Sequence, residues 1–262
     1  MVTIGLFDSG FGGLTVVREL NKQLPGAGVE FYGDNGRAPY GPLSREQITG
    51  YVRQILDFLS NKNIDAAIMA CNTATAAAFD RVKDKYSFPL LGVIEPGIKG
   101  ALAATRTKKI GVVATQFTIK SGAHKLGIQS LDPAVEVIGQ ACPQITQLVE
   151  SGLTAGPEVD KAVSGYLGKF EGSGIDTLVL GCTHYPVLLD PIKRYLADGV
   201  TIVDPAVGTV AELKELIGSK VANAGSVIPT YNFYTSGDPH LFARVGSAIL
   251  GWPIERVQKV VL

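Results

Sequence analysis

The chain has 262 residues, of which 46% are hydrophobic and 18% are charged, enough apolar material for one large or two modest domains. Lys plus Arg and Asp plus Glu number 24 each, so no basic surplus favours nucleic acid or an anionic membrane surface. No apolar run of about 18 residues predicts a membrane span. The first residues resemble no signal peptide, so secretion is not expected.

In chain order, short apolar runs alternate with segments of helical periodicity. The nearly continuous apolar runs predict strands covered on both faces, and hence largely parallel sheets with crossover helices. Strands are predicted in one half at 3–7, 30–33, 66–70 and 90–94, and in the other at 109–113, 135–139, 177–180 and 200–203. Helices are predicted at 14–24, 45–60, 74–85, 97–104, 142–151, 159–170, 186–196, 207–217 and 239–250.

Two pairs of segments indicate an internal duplication. The strand beginning at Ile4 matches the one at Ile110, an offset of 106, and the segments ending at Cys71 and Cys182 are offset by 111. Short strands at 231–235 and 257–262 break the pattern and are expected to return to the first half. The predicted domains are 1–96 with 207–262, and 97–206, with crossings near 94–97 and 204–206.

The loop after the first strand, residues 8–13, has two open interpretations. Its hydroxyl and backbone N–H groups are suited to a carboxylate or phosphate at a helix N-terminus. It is equally consistent with a tight turn in which Ser9 or Asp8 caps the following helix. A dinucleotide site is not favoured, because the third glycine of the fingerprint is missing.

The loop at 33–41, after the second strand, is rich in glycine and proline and ends in Pro39, Tyr40 and Gly41. Such loops at the carboxyl ends of strands often carry ligand contacts in α/β proteins. The Tyr40 hydroxyl would then donate to a substrate carboxylate. A solvated turn is the competing interpretation.

Cys71 and Cys182 each end an apolar run and precede polar residues. Asn72 or Thr73 is expected to cap the helix after Cys71, whose N–H groups and dipole would stabilise a thiolate. His184 follows Cys182 by two residues, close enough to tune its protonation. Each cysteine taken alone is also consistent with a buried structural residue.

The remaining cysteine, Cys142, precedes Pro143 and is interpreted as a packing residue. Three cysteines are an odd and sparse set, typical of a reducing compartment, so a cytoplasmic protein is expected. No C-x-x-C or H-E-x-x-H spacing predicts a metal site. Glu150 falls at a helix C-terminus, and the sequence alone does not single it out.

Taken together, these segments resemble the glutamate racemases of the aspartate/glutamate racemase superfamily over essentially the whole chain. The resemblance implies two α/β/α domains with largely parallel sheets, related by a pseudo-twofold, with the active site between them. The motifs that carry it, in order, are Asp8-Ser9-Gly10, Pro39-Tyr40-Gly41, Cys71-Asn72-Thr73, Ala141-Cys142-Pro143, Val149-Glu150-Ser151-Gly152 and Gly181-Cys182-Thr183-His184-Tyr185-Pro186.

The resemblance also implies a cofactor-independent interconversion of L- and D-glutamate, the D-form supplying peptidoglycan synthesis. It assigns the Cα proton of D-glutamate to Cys71, assisted by Asp8, and that of L-glutamate to Cys182, assisted by His184 and Glu150. A homodimer is expected. The implied substrate contacts are Asp8, Ser9, Pro39, Tyr40, Gly41, Cys71, Asn72, Thr73, Cys182, Thr183 and His184.

Several alternatives stay open from the residues alone. These are an aspartate racemase or another superfamily member, a redox protein with a reversible Cys71–Cys182 disulfide, and a non-catalytic binder of small acidic ligands. Relatives activated by a peptidoglycan precursor carry a longer N-terminal extension. Because only three residues precede Ile4, such activation is not expected here.

Overall fold

Ten parallel strands in two sheets form the framework of the computed structural model, which describes residues 2–222 and 229–262. Every pairing between neighbouring strands in this part of the chain is parallel. In chain order the strands are β1 (Thr3–Asp8), β2 (Gly28–Gly33), β3 (Ala66–Met69), β4 (Leu90–Gly92), β5 (Lys109–Ala114), β6 (Glu136–Ala141), β7 (Thr177–Gly181), β8 (Thr201–Val203), β9 (Tyr231–Thr235) and β10 (Val257–Lys259).

The strand order confirms the predicted duplication. The first sheet runs β10-β9-β2-β1-β3-β4 and the second runs β6-β5-β7-β8. Four strands of the first sheet therefore repeat the order of the whole second sheet. The strands that begin the two halves, β1 and β5, are equivalent, and so are β3 and β7, which precede Cys71 and Cys182. The predicted α/β class with two largely parallel sheets is confirmed.

Helices cover both faces of the sheets, which explains the continuous apolar runs. Along β1, the buried side chains of Ile4 and Leu6 enter one core cluster and that of Phe7 enters another. Alternate side chains of a strand point to opposite faces. Both faces must therefore be apolar, as is usual in parallel sheets.

Eleven α-helices lie in the described residues, and two of them, α2 and α11, begin and end where the sequence predicts. In chain order they are α1 (Leu14–Gln23), α2 (Arg45–Ser60), α3 (Asn72–Val82), α4 (Ile94–Ala104), α5 (Gln116–Ser121), α6 (Ala123–Leu131), α7 (Pro143–Glu150), α8 (Pro157–Leu167), α9 (Leu189–Tyr195), α10 (Pro205–Ala222) and α11 (Pro239–Leu250).

Several predicted boundaries are wrong, and two of them have a clear physical reason. The strand predicted to reach Ile94 ends at Gly92, because Ile94 begins α4 and Glu95 and Pro96 suit a first helical turn. The helix predicted over 186–196 is instead a 3-10 turn, Tyr185–Leu188, followed by α9. Prolines at 186 and 191 lack the N–H that a continuous helix would use.

The chain crosses between the sheets through α4 and α10. These helices pack closely, since a Cβ on Gly208 would lie 3.1 Å from that of Pro96. Lys99 of α4 pairs at 2.9 Å with Glu95 on its own helix and with Glu212 of α10 across the contact. The C-terminal strands return to the first sheet, where β9 pairs with β2. The domain boundaries themselves stay a prediction.

His124 in α6 leads to a testable prediction about stability. It is 3% exposed, both ring nitrogens lack a partner within the described structure, and burial lowers its pKa to about 4. The unfolded chain takes up this proton near pH 6.5 but the folded chain does not, so stability present above pH 6.5 falls as the pH drops toward 4. We expect the free energy of unfolding of His124→Phe to fall by about 3 kcal/mol less than that of the wild type over this drop in pH.

Urea unfolding of wild type and variant at pH 7 and pH 4 measures this effect. The matched control is His240→Phe, because His240 is exposed. The prediction is wrong if His124→Phe keeps the wild-type dependence on pH.

Candidate active site

A cavity of about 550 Å³ lies between the two halves, where the carboxyl ends of both sheets meet. Ten of the residues predicted to contact substrate line it: Ser9, Pro39, Tyr40, Gly41, Cys71, Asn72, Thr73, Cys182, Thr183 and His184. Asp8 and Glu150 do not line the cavity, but each is hydrogen-bonded to a residue that does. The structure therefore brings most of the predicted site residues to one place.

Other lining residues were missed by sequence reasoning. One of them, Thr115, directly follows β5 and stands 106 residues after Ser9, so the repeat offset could have found it. Thr146 and Gln147, both on α7, carried no such signal. The full set not predicted is Pro42, Leu43, Arg45, Thr115, Gln116, Phe117, Lys120, Ser121, Pro143, Thr146 and Gln147.

Cys71 stands at the start of α3 and caps the helix itself. Its Sγ accepts from the backbone N–H of Ala74 at 3.4 Å, and its thiol donates to Ser9 Oγ at 3.4 Å. The prediction that Asn72 or Thr73 is the cap is wrong, because α3 already includes both and the extended backbone of Cys71 points its sulfur at the free N–H groups.

Protonation of Cys71 is controlled by its burial. Burial and the charge of Asp8 raise the pKa of Cys71 to about 12, against the smaller opposing effects of Ser9 and the Ala74 N–H. The Asp8 side chain is wholly buried and accepts from Gly10 N at 3.1 Å and from the Thr183 hydroxyl at 3.3 Å. At neutral pH Cys71 is therefore a thiol, the form that gives a proton.

Cys182 has an imidazole beside it instead. Its Sγ lies 3.4 Å from His184 Nδ1, and His184 Nε2 lies 2.5 Å from Glu150 Oε1. Burial alone would lower the pKa of His184, but Cys182 and Glu150 together raise it well above its usual value. A protonated imidazole there places a positive charge 3.4 Å from the Cys182 sulfur and beside the Glu150 carboxylate.

Glu150, the last residue of α7, also ties the two halves together. It accepts from the backbone N–H of Phe11 at 3.0 Å and from Asn35 Nδ2 at 3.4 Å. The approach depends on Gly10, where an added Cβ would lie 2.0 Å from Glu150 Oε1. The same carboxylate thus holds His184 and the loop after β1.

The loop after β1 lies very close to the second half of the chain and provides no side-chain cap for α1. The predicted capping of α1 by Ser9 or Asp8 is wrong, since Gly13 occupies the cap position and no side chain bonds there. A Cβ on Gly12 would lie 2.4 Å from Thr183 Oγ1 and 2.7 Å from His184 Nδ1. The glycines let the first half touch the Cys182 side of the cavity.

The hydroxyl of Tyr40 is directed away from the use that the sequence suggested. It donates to Asp34 Oδ2. Arg37 Nε lies 2.7 Å from the same oxygen, and Ser236 donates to the other oxygen of Asp34 at 2.7 Å. Because the fully buried Asp34 carboxylate accepts from all three, Tyr40 lines the cavity with its hydroxyl already bonded.

Hydroxyl groups from both halves also meet beside the cavity. Thr73 Oγ1 lies 2.8 Å from Thr115 Oγ1 and 3.3 Å from Thr118 Oγ1. Nearby Asn72, 3% exposed, has an Oδ1 atom with no hydrogen-bond partner in the described residues. These donors and the free acceptor suit a small ligand that carries both a carboxylate and an ammonium group.

Residues 2–222 and 229–262 contain neither a metal-binding cluster nor a membrane-spanning helix. No group of three or more His, Cys, Asp or Glu side chains there is arranged to hold a metal ion. No helix in that part combines the length and apolar character needed to span a bilayer. All three cysteines are buried free thiols.

Known proteins resemble the chain along nearly its full length. The sequence profile described as Asp/Glu/Hydantoin racemase matches residues 4–213. A glutamate racemase of Oceanobacillus iheyensis is 39% identical over 94% of this chain and 91% of its own. The structure of RacE1, a glutamate racemase isoform of Bacillus anthracis, superposes with a TM-score of 0.94 at 38% identity, covering 100% of this chain and 98% of the other.

A ligand-bound relative is similarly close. The glutamate racemase of Francisella tularensis, solved in complex with D-glutamate, has a TM-score of 0.90 at 34% identity and covers 99% of this chain and 97% of its own.

Proposed function

The chain belongs to the Asp/Glu/Hydantoin racemase family, and on that premise we propose that it interconverts L- and D-glutamate with two cysteine thiols and no cofactor. One observation supports this most: Cys71 and Cys182 stand at equivalent positions of a duplicated fold, line one cavity, and lie in unlike electrostatic surroundings.

In the L-to-D direction, Cys182 is the base and Cys71 is the acid. The Cα–H bond of L-glutamate breaks, its proton goes to Cys182 Sγ, and the electron pair stays on the substrate as a carbanion-like state. Cys71 then gives its proton to the other face of Cα and is left as a thiolate. The D-to-L direction runs the same steps in reverse, so neither thiol requires the substrate to rotate.

The neighbours of each thiol have matching roles in the proposal. The negative charge of the buried Asp8 carboxylate adds to burial in raising the pKa of Cys71 and so keeps that thiol protonated before turnover. His184, charged and held by Glu150, stabilises the thiolate at Cys182. A positioned general base contributes on the order of 10²–10⁴-fold, so the hydroxyl groups and helix N-terminus around the substrate carboxylate supply much of the rest.

D-glutamate is the form that bacteria build into peptidoglycan, and we propose that the chain supplies it in the cytoplasm as a homodimer. Size-exclusion chromatography with light scattering measures the oligomeric state. A monomer at the concentrations used in the assay would contradict the proposed homodimer.

The test is racemisation in heavy water without pyridoxal phosphate. We expect L-glutamate to lose its optical rotation while gaining one deuterium at Cα, measured by polarimetry and mass spectrometry. L-aspartate, one methylene shorter, is assayed in parallel and should turn over much more slowly. Faster turnover of aspartate would assign the chain to the aspartate branch, and tight glutamate binding without exchange would make it a binding protein.

A further inference from the structure

Thr146 lies on the same helix as Glu150 and faces the same thiol. Both belong to α7, four residues apart, which places them on one helical face. Glu150 holds His184, and Thr146 Oγ1 lies 3.8 Å from Cys182 Sγ. Thr146 is 8% exposed and lines the cavity. One face of α7 therefore contacts both Cys182 and His184, the imidazole beside it.

The Thr146 hydroxyl is used differently from those of three other helical threonines. Thr49, Thr75 and Thr209 are also helical, and each donates to the carbonyl oxygen four residues earlier, at 2.7 to 2.9 Å. Helical threonines commonly do this. For Thr146 the corresponding acceptor is the Cys142 carbonyl, which instead accepts from the Tyr185 hydroxyl at 3.2 Å. The described structure records no such bond from Thr146, whose polar neighbours are the Cys182 sulfur at 3.8 Å and the Tyr185 hydroxyl.

Cys71 has a hydroxyl at its sulfur as well. Ser9 Oγ lies 3.4 Å from Cys71 Sγ, so each thiol of the cavity has one hydroxyl neighbour. The two neighbours do not come from equivalent strands, since Ser9 follows β1 and Thr146 belongs to the helix after β6. The pairing is therefore not a by-product of the duplication.

We propose that Thr146 is a further catalytic residue, whose hydroxyl donates a hydrogen bond to the Cys182 thiolate before proton abstraction. This inference rests on the proposed function. Thr146 keeps its own proton throughout: the substrate proton moves from Cα to Sγ, and the hydroxyl then turns to accept from the new S–H. The residue stabilises one side of the reaction only, because no contact joins it to Cys71.

Thr146→Val tests the proposal, since valine keeps the shape and removes the hydroxyl. The lower end of the range for hydrogen bonds to charged groups corresponds to roughly tenfold, which is the expected fall in kcat/KM. Both directions fall equally, because the equilibrium constant of a racemisation is one. The Cys182 step becomes more rate-limiting, so the isotope effect on kcat/KM should rise with L-[2-²H]glutamate and fall with D-[2-²H]glutamate.

Thr146→Ser should restore both the rate and the isotope effects, and Thr146→Ala gives the same test without the branched side chain. The matched control is Thr209→Val, because Thr209 is also a buried helical threonine but its hydroxyl bonds within its own helix and does not line the cavity. We expect it to keep wild-type isotope effects.

Three results would overturn the proposal: an unchanged Thr146→Val enzyme, a loss of rate with both isotope effects unaltered, or the valine pattern appearing in Thr209→Val. A wild-type protein that does not racemise glutamate would instead refute the proposed function.

Discussion

Cys71→Ala and Cys182→Ala each lose racemisation by about 10³-fold or more, yet each keeps exchange with one enantiomer. In Cys71→Ala the base at Cys182 remains, so L-glutamate should exchange its Cα hydrogen with heavy water and stay L. In Cys182→Ala, Cys71 is left, and D-glutamate should exchange and stay D. The reason is that each thiol reaches one face of Cα.

The Cys182→Ala exchange should be the slower of the two. Burial and Asp8 raise the pKa of Cys71 to about 12, so at pH 8 few molecules carry the thiolate. Raising the pH toward 10 should speed D-glutamate exchange, since the thiolate fraction grows below the pKa. Proton NMR of the Cα signal measures the exchange of each enantiomer, supplied separately, in each of the two variants.

The third thiol provides the matched control for these variants. Cys142 is fully buried, does not line the cavity, and belongs to a core cluster that contains residues of both halves. Cys142→Ala should therefore racemise at close to the wild-type rate. Exchange of both enantiomers by one of the single-cysteine variants would refute the assignment of one thiol to each face.

The sequence predicted the parts of this molecule that depend on local patterns. Continuous apolar runs give parallel strands because both faces of each sheet are covered. The offset between Ile4 and Ile110 identified equivalent strands, and the structure confirms that β1 and β5 occupy the same place in their sheets. Helices with strong N-terminal caps, such as α2 with its Ser44–Gln47 capping box, begin where the pattern begins.

Contacts between distant segments were beyond the sequence. In the sequence, Asp34 is typical of a turn. Only the folded chain brings Arg37, Tyr40 and Ser236 to its carboxylate. Thr146 looks like any helical threonine until its usual carbonyl acceptor is found occupied. The resemblance to glutamate racemases named Glu150, whereas its contact with the loop after β1 depends on a position 140 residues away and on an absent side chain.

Gly10→Ala should reduce kcat/KM by about 100-fold or more, although the residue carries no functional group. The new methyl group would lie 2.0 Å from Glu150 Oε1 and 2.8 Å from its carboxyl carbon, far inside van der Waals contact. Either Glu150 or the loop after β1 must move. A shift of about 1 Å at groups that position a reaction can cost 10²-fold.

The displacement acts on both thiols, and that makes the expected loss large. Glu150 holds His184 at 2.5 Å, so moving the carboxylate weakens the charge beside Cys182. Moving the loop instead shifts Ser9, the hydroxyl neighbour of Cys71. The measurement is kcat and KM in both directions, with thermal unfolding recorded for each variant.

Gly26→Ala is the matched control, because nothing lies within 4 Å of its added Cβ and its loop is exposed. It should keep wild-type activity and gain slightly in stability, since alanine restricts the unfolded chain. If Gly10→Ala folds and racemises glutamate within twofold of wild type, the close approach of Glu150 to this loop is not needed for the reaction. Glu150 would then act on His184 alone, and the two halves would be held in register by α4 and α10.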